Sequence, residues 1–213
     1  MYRYVFFDLD GTVTDSGTAI TNSVRYALKK FGIDDPDPAV LRRFIGPPLV
    51  DSFMQFYGMS KENALLATSY YREFYPAGEM FNVTIYDGIV ELLGDLRERG
   101  RVVVLATSKP EVYAKAIIER IGLKECFDMI AGATMDESRN KKHQVIAYAL
   151  KSLGVADARD AVMIGDTAFD VTGARENGMD CIGVSFGFGT VEELREAGAI
   201  AVVDRAEEIL EIV

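Results

Sequence analysis

The sequence predicts an α/β protein in which a doubly wound parallel sheet carries an inserted α-helical domain. Three observations predict this fold. An apolar, strand-like run stands near the start of the chain, strand-like and helical segments alternate from about residue 101 onward, and the segment between them is helical in pattern alone. Strands that alternate with helices form parallel sheets covered on both faces. We therefore expect a core domain of residues 1–14 and 84–213, interrupted by a helical domain of residues 15–83.

The first predicted strand ends in two carboxylates. Residues 5–7 are apolar and of β-forming type, Asp8 and Asp10 follow, and Gly11 allows the chain to turn. Alternate positions in a strand point to the same face. Two nearby carboxylates repel each other, so the pair needs a proton, a basic residue or a metal ion beside it. The pattern predicts either a site for nucleophilic and acid/base chemistry or a solvated acidic turn.

From residue 101 onward, short apolar runs of β type alternate with segments whose apolar residues have helical spacing. Right-handed crossovers between such strands build a doubly wound layer. The predicted strands span residues 101–106, 127–131, 161–164, 181–184 and 200–203, and the predicted helices span residues 111–121, 142–153, 169–177 and 206–212.

The segment of residues 15–83 does not follow this alternation. Apolar residues share one helical face in residues 20–31, in residues 49–56 and in residues 64–75. The segment is far longer than an ordinary connection between two secondary-structure elements. A small helical domain inserted after the first strand accounts for it.

Composition excludes several classes of function. The chain has 213 residues and a formal net charge of −10, which argues against nucleic acid or an anionic membrane surface as a partner. No apolar run is long enough to cross a bilayer, and the N-terminal run lacks the basic flank of a signal peptide. Cys126 and Cys181 lie in apolar surroundings, which predicts buried free thiols. We therefore expect a cytoplasmic globular protein.

Polar residues follow several of the predicted strands. In open α/β sheets, ligands bind outside the carboxyl ends of the strands. The residues there combine carboxylates, hydroxyl groups and a lysine, a set that suits a divalent hard cation together with a phosphoryl group. In chain order these residues are Asp8, Asp10, Thr107, Ser108, Lys109, Lys141 or Lys142, Asp166 and Asp170.

This ordered set resembles the motifs of the haloacid dehalogenase superfamily. The residues DLDGT at positions 8–12 open the set, Thr107 and Lys142 follow, and GDT at positions 165–167 with Asp170 completes it. The resemblance covers essentially the whole chain, and the inserted segment is similar to the helical, C1-type cap of the phosphoglycolate phosphatase-like branch. It implies a Rossmann-like core and a phosphatase that hydrolyses small phosphomonoesters with Mg²⁺, through an aspartyl-phosphate intermediate.

The resemblance also implies a role for each residue that acts on the substrate. Asp8 would be the nucleophile that attacks phosphorus. Asp10 would protonate the leaving alkoxide and then deprotonate the attacking water. Thr107 and the backbone near Ser108 would bind the phosphoryl oxygens.

The same resemblance implies the metal ligands and the lysine. Mg²⁺ would be held by Asp8, the backbone carbonyl of Asp10, Asp166 and Asp170, the last directly, through water or by orienting the others. The lysine would offset the negative charge of the nucleophile and the phosphoryl group. Lys142 is favoured because Val145 and Ile146 follow at the usual distance, but the adjacent Lys141 stays open.

Two other functions remain open at this stage. A phosphosugar mutase of the β-phosphoglucomutase type shares the core motifs and differs in what its cap admits. A receiver-type signalling domain also combines an aspartyl-phosphate, Mg²⁺, a hydroxyl group and a lysine, but it is shorter and carries no inserted domain.

The substrate itself is less constrained by the sequence. Arg43, close to Gly46 in the inserted segment, is a candidate for binding a substrate anion. A helical cap leaves room for a small phosphorylated metabolite: phosphoglycolate, a sugar phosphate or a nucleoside monophosphate.

Overall fold

The structure, a computed structural model, describes residues 1–136 and 138–213. The chain forms two compact units. The first comprises Met1–Asp15 and Ile85–Val213, and the second comprises Ser16–Thr84. The role of the second unit as a cap stays a prediction.

A six-stranded sheet is the centre of the first unit, and every paired strand in it runs parallel to its neighbour. The strands of the chain are β1 (Tyr4–Phe7), β2 (Thr14–Asp15), β3 (Thr84–Ile85), β4 (Val102–Pro110), β5 (Met129–Ala133), β6 (Ala161–Gly165), β7 (Asp180–Val184) and β8 (Ala201–Val203). The order in the large sheet is β5-β4-β1-β6-β7-β8, and β2 pairs with β3 separately. The predicted parallel sheet is confirmed.

Nine α-helices accompany these strands in the described residues. They are α1 (Gly17–Lys29), α2 (Pro38–Arg42), α3 (Leu49–Tyr57), α4 (Lys61–Phe74), α5 (Ile89–Glu98), α6 (Glu111–Arg120), α7 (Lys142–Ser152), α8 (Ala168–Glu176) and α9 (Val191–Ala197). The first four belong to the second unit and the other five to the first.

Four helices depart from the sequence prediction. Helices α2 and α9 were not predicted. The helix predicted over residues 206–212 is present, but as a 3₁₀ helix, Ala206–Glu211. Very short helices often tighten in this way, because few residues are left to make i→i−4 bonds. The helix α5 was not predicted, although Ile89, Leu92 and Leu96 share a buried face at helical spacing that could have revealed it.

Apolar residues on one face of the sheet fix the register of β4, β1 and β6. Phe6 is fully buried and pairs with Val104 of β4 on one side and with Met163 of β6 on the other. Burial of one such side chain stabilises the fold by about 1.5–3 kcal/mol. One residue further along, Phe7 pairs with Leu105 and Ile164, so β1 and β6 end at the same edge, and β4 continues past them to Pro110.

Aromatic rings form the centre of the second unit. The Phe44 ring lies 4.9 Å from the Phe53 ring and 5.4 Å from the Phe56 ring, both in edge-to-face geometry. Such pairs add about 0.5–1.5 kcal/mol to the burial of the rings themselves. Helix α2 begins at Pro38, and the Asp37 side chain accepts a hydrogen bond from the Ala39 N–H at its first turn.

Two sequence predictions concerned membrane-spanning segments and the two cysteines. Among the described residues, no helix has both the length and the apolar character needed to cross a membrane. Cys126 and Cys181 are free. Cys181 is buried as predicted, whereas Cys126 is only half-buried, because it ends a 3₁₀ turn whose other residues are exposed.

Candidate active site

Three aspartates meet at the carboxyl edge of the sheet. Asp8 follows β1, Asp166 follows β6, and Asp170 lies in the first turn of α8. Each offers a carboxylate oxygen, and these oxygens lie within 4.8 Å of one another. The Asp8 N–H donates to the Ile164 carbonyl at 2.9 Å, so the ladder between β1 and β6 continues to the site. All three side chains are buried.

Lys142 joins two of these carboxylates. It is the first residue of α7, and its Nζ lies 2.7 Å from Asp8 Oδ1 and 2.8 Å from Asp170 Oδ1. The same Nζ donates to the Ala106 carbonyl of β4 at 3.1 Å. Its ammonium group therefore lies between two carboxylates and donates to one backbone carbonyl.

Lys141, the other candidate, takes a different position. It is exposed at the start of α7, where its backbone N–H donates to Gln144 Oε1 at 3.1 Å. Lys142 passes close to α8 at Gly173, where a Cβ would lie 2.7 Å from Lys142 Cγ. A side chain at position 173 would therefore collide with the lysine that enters the site.

Burial and mutual repulsion raise the pKa values of two aspartates in the cluster, Asp8 and Asp166. Burial raises the pKa of Asp8 to about 6; Lys142 opposes the rise, while Asp170 and Asp10 add to it. Burial also raises the pKa of Asp166 well above its usual range, with Asp170 adding to the effect. Burial alone lowers the pKa of Lys142, but its two aspartate partners raise it overall. A further positive charge beside Lys142 would lower the pKa of these carboxylates and favour their ionised forms.

A glycine-rich loop fixes the orientation of Asp166. Its Oδ2 accepts a hydrogen bond from the Phe188 N–H at 2.7 Å, and its Oδ1 accepts one from Thr12 Oγ1 at 3.3 Å. Gly187 and Gly189 flank Phe188, and a Cβ at either position would collide with atoms of Asp166. The absence of side chains there lets the backbone approach the carboxylate closely.

Asp170 has two tasks, one for each oxygen. Its Oδ2 accepts hydrogen bonds from the Thr167 N–H at 3.1 Å and from Thr167 Oγ1 at 2.9 Å, which caps the start of α8. Its Oδ1 faces Lys142. The side chain is thus both the helix-capping acid and a member of the cluster.

Asp10, Thr107 and Ser108 lie near the end of β4. Asp10 Oδ2 is 3.0 Å from the Nζ of Lys109, and Asp10 Oδ1 is buried with no hydrogen-bond partner among the described residues. Thr107 is buried and its Oγ1 accepts the Lys109 N–H at 3.2 Å, while Ser108 is half-buried. Sequence reasoning placed Lys109 at this strand end together with Thr107 and Ser108 but assigned it no chemical role.

The two candidates for substrate contact, Arg43 and Gly46, lie in the second unit. Arg43 follows α2 and is exposed, and its guanidinium carbon lies 4.1 Å from the centre of the Phe56 ring. Stacking on the ring restrains the guanidinium plane while its N–H groups stay available. Gly46 has a positive φ of 105°.

Several curated proteins are similar to this chain. A 5'-nucleotidase of Pseudomonas aeruginosa is 44% identical over 194 residues, which cover 91% of this chain and 87% of that protein. The tyrosine-protein kinase PtkA of Mycobacterium tuberculosis is 38% identical, over 92% of this chain and 72% of its own length. A phosphoglycolate phosphatase of Rhodospirillum rubrum is 31% identical, over 96% and 88%.

Solved structures and the family model agree with these relatives. The crystal structure of a protein from Clostridium acetobutylicum, described as a predicted phosphatase, has a TM-score of 0.94 and 46% identity, and the match covers 99% of both chains. The model of the haloacid dehalogenase-like hydrolases matches residues 5–184. The match extends over most of the chain and includes every motif residue that met at the strand ends, from Asp8 to Asp170. The resemblance drawn from the sequence is confirmed: this chain belongs to the haloacid dehalogenase-like hydrolase family.

Proposed function

We propose that this chain is a Mg²⁺-dependent phosphatase that hydrolyses small phosphomonoesters through an aspartyl-phosphate on Asp8. One observation carries the proposal: the buried Asp8 carboxylate is held at Oδ1 by Lys142, 2.7 Å away, beside two more buried aspartates. A carboxylate held at one oxygen keeps the other for attack on phosphorus. The relatives named phosphatase and 5'-nucleotidase support the same reaction class.

The donor set fits a divalent hard cation. Carboxylate oxygens are what Mg²⁺ prefers, and the raised pKa of Asp8 and of Asp166 indicates that their ionised forms lack compensating charge. Asp8, Asp166 and the backbone carbonyl of Asp10 would hold the ion, with Asp170 as a further ligand or as the residue that orients the others. When bound, the cation neutralises charge on the phosphoryl oxygens.

The protein's own residues then carry two steps. In the first, an Asp8 oxygen forms a bond to phosphorus, the ester P–O bond breaks, and Asp10 gives its proton to the leaving oxygen. In the second, Asp10 takes a proton from water while the water oxygen attacks phosphorus and Asp8 leaves as a carboxylate. The products are the alcohol and inorganic phosphate, and Asp10 is protonated again.

The phosphoryl group needs donors that match its oxygens. We assign this role to the Thr107 hydroxyl, the backbone N–H near Ser108 and the Lys142 ammonium group. Leu105 of β4 pairs with Phe7, the last residue of β1. Thr107 and Ser108 therefore lie on the part of β4 that continues past the end of β1, at the same edge as Asp8. Donors prearranged around developing charge stabilise a transition state without further reorganisation.

The relatives suggest where to look for the substrate. One is named a 5'-nucleotidase and another a phosphoglycolate phosphatase, so nucleoside monophosphates and phosphoglycolate lead the candidates, followed by sugar phosphates. We assign the recognition of a substrate anion to Arg43, whose exposed guanidinium is restrained by Phe56. Gly46, close to it in sequence, would leave space for the substrate.

A second candidate function rests on the relative named tyrosine-protein kinase. The same nucleophile could pass its phosphoryl group to a protein hydroxyl instead of water. Incubation with γ-labelled ATP and a tyrosine peptide tests the kinase: label in the peptide favours it. An unlabelled peptide, with enzyme that hydrolyses 4-nitrophenyl phosphate, favours the phosphatase.

The first test of the phosphatase is turnover of 4-nitrophenyl phosphate with Mg²⁺ and with chelator. We expect activity only with the metal, with losses on the order of 10⁴-fold for Asp8→Asn and about 10²–10⁴-fold for Asp10→Asn. A panel of phosphoglycolate, sugar phosphates and nucleoside monophosphates then ranks the substrates. No hydrolysis across the panel would contradict the proposal and direct the next assay to a sugar bisphosphate, the substrate class of a mutase.

A further inference from the structure

Lys109 is a buried cation for which none of the roles above accounts. Its side chain is 5% exposed, and its Nζ lies 3.0 Å from Asp10 Oδ2, whose own side chain is 13% exposed. A lysine is very seldom buried to this degree unless it is paired. Breaking such a buried pair leaves an uncompensated charge, so the contact restrains both side chains strongly.

An irregularity in β4 brings Lys109 to this position. Pairing with β5 is regular up to Ala106, which faces Ala131, and resumes at Pro110, which faces Ala133. Four steps along β4 therefore match two steps along β5, and residues 107–109 form a bulge. Bulges change the direction of side chains and are frequent beside active sites. The Lys109 N–H donates to Thr107 Oγ1 within this bulge at 3.2 Å, which stabilises it.

The contact makes the two oxygens of Asp10 unequal. Oδ2 faces the ammonium group of Lys109, whereas Oδ1 is buried and has no hydrogen-bond partner among the described residues. A buried carboxylate oxygen without a partner is costly, by about 1–3 kcal/mol or more. It is also the oxygen that can carry a proton toward a leaving group.

We infer that Lys109 is the positioning residue for Asp10: it holds Oδ2, so that Oδ1 presents the proton to the leaving oxygen of the substrate. This rests on the proposed phosphatase function. The alternative role, a direct contact with the phosphoryl group, would lower the rate for every phosphate ester, whatever its leaving group. A purely structural role would stabilise the fold without distinguishing one leaving group from another.

The dependence on the leaving group tests this role. Glycerol phosphate loses an alkoxide, which needs a proton as the P–O bond breaks, whereas 2,4-dinitrophenyl phosphate loses a stable anion that needs none. The quantity to measure is kcat/KM. It reports the steps from substrate binding through phosphoryl transfer to Asp8, and it does not include the later attack by water. For Lys109→Met we expect a loss of about 100-fold on glycerol phosphate and less than about 5-fold on the dinitrophenyl ester.

The ratio of the two values on one preparation is independent of the fraction of folded enzyme, so partial unfolding of the variant cannot mimic the effect. Lys109→Arg, which keeps the charge, should recover part of the loss on glycerol phosphate.

Lys124→Met is the matched control, since Lys124 is exposed and pairs only with an exposed glutamate in the described residues. It should leave both values of kcat/KM unchanged. Asp10→Asn should show the same selective loss, and adding Lys109→Met to it should cause little further change.

Two results would overturn the inference, and they are distinguishable. Equal losses on both substrates would mean that Lys109 does not act through proton donation by Asp10. Wild-type enzyme that turns over neither ester would instead contradict the proposed function, and the inference with it.

Discussion

Both units of the chain bury hydroxyl groups, but the buried charged side chains of the described residues all belong to the first unit. In the second unit, all of whose residues are described, the buried polar side chains are hydroxyl groups. Those of Ser23, Ser52 and Thr68 donate to the carbonyl four residues earlier, at 2.8–3.1 Å. In the described part of the first unit, five charged side chains are buried, and all of them contribute to the site: Asp8, Lys109, Lys142, Asp166 and Asp170.

The difference reflects what each kind of burial costs. A hydroxyl that bonds to its own helix keeps a partner and needs nothing from the rest of the fold. A buried ion costs several kcal/mol unless partners surround it, so burial of several ions together requires a dense network. Such networks are typical of sites that do chemistry, because burial and charge tune the reacting groups. The contrast therefore supports placing the proposed chemistry at the carboxyl edge of the sheet in the first unit.

The largest effect on stability is expected when the ammonium group of Lys142 is removed from the cluster. In metal-free protein, Lys142→Met should lower the free energy of unfolding by about 3–5 kcal/mol, because Asp8 and Asp170 lose their shared partner. Urea unfolding at neutral pH measures it. Lys151→Met, at an exposed position on the same helix, should change stability by no more than about 0.5 kcal/mol. A comparable small change for Lys142→Met would mean that the network does not depend on the lysine.

The second test uses pH. Because the pKa of Asp8 in the folded protein is raised from 3.8 to about 6, the folded state binds this proton more tightly than the unfolded chain does. The contribution of Asp8 to stability is then lost as pH rises from about 4 to 6, by about 3 kcal/mol. Metal-free Asp8→Asn lacks this loss, so its stability relative to wild type should improve across that range. Urea titrations at several pH values measure the difference; a constant difference would contradict the raised pKa.

The smallest effect is expected in the second unit. Thr68→Val removes a buried hydroxyl that bonds to Ala64 of its own helix, with nearly the same volume. Stability should fall by about 1 kcal/mol or less, and kcat/KM on the aryl ester should stay as in wild type. A loss of more than about 10-fold in kcat/KM would contradict this expectation.

Much of the fold was predictable because its signals are local. Apolar runs such as residues 161–164 and the helical spacing between them depend only on neighbours in sequence, and the strands formed within a few residues of their predicted positions. The C-terminal helix was the exception, since a short segment can form either type of helix and its packing decides. The aspartates were predictable as well, because the ends of parallel strands meet at one edge.

The sequence by itself determined the fold class, the family and the identity of the clustered aspartates. The sequence favoured Lys142 over the adjacent Lys141, and the tertiary structure decided between them: Lys141 precedes α7 with an extended backbone, whereas Lys142 begins the helix and packs against α8. It also decided the position of Lys109, since a bulge depends on the register between β4 and β5. Contacts between residues far apart in the chain leave no local pattern, so these two assignments required the folded molecule.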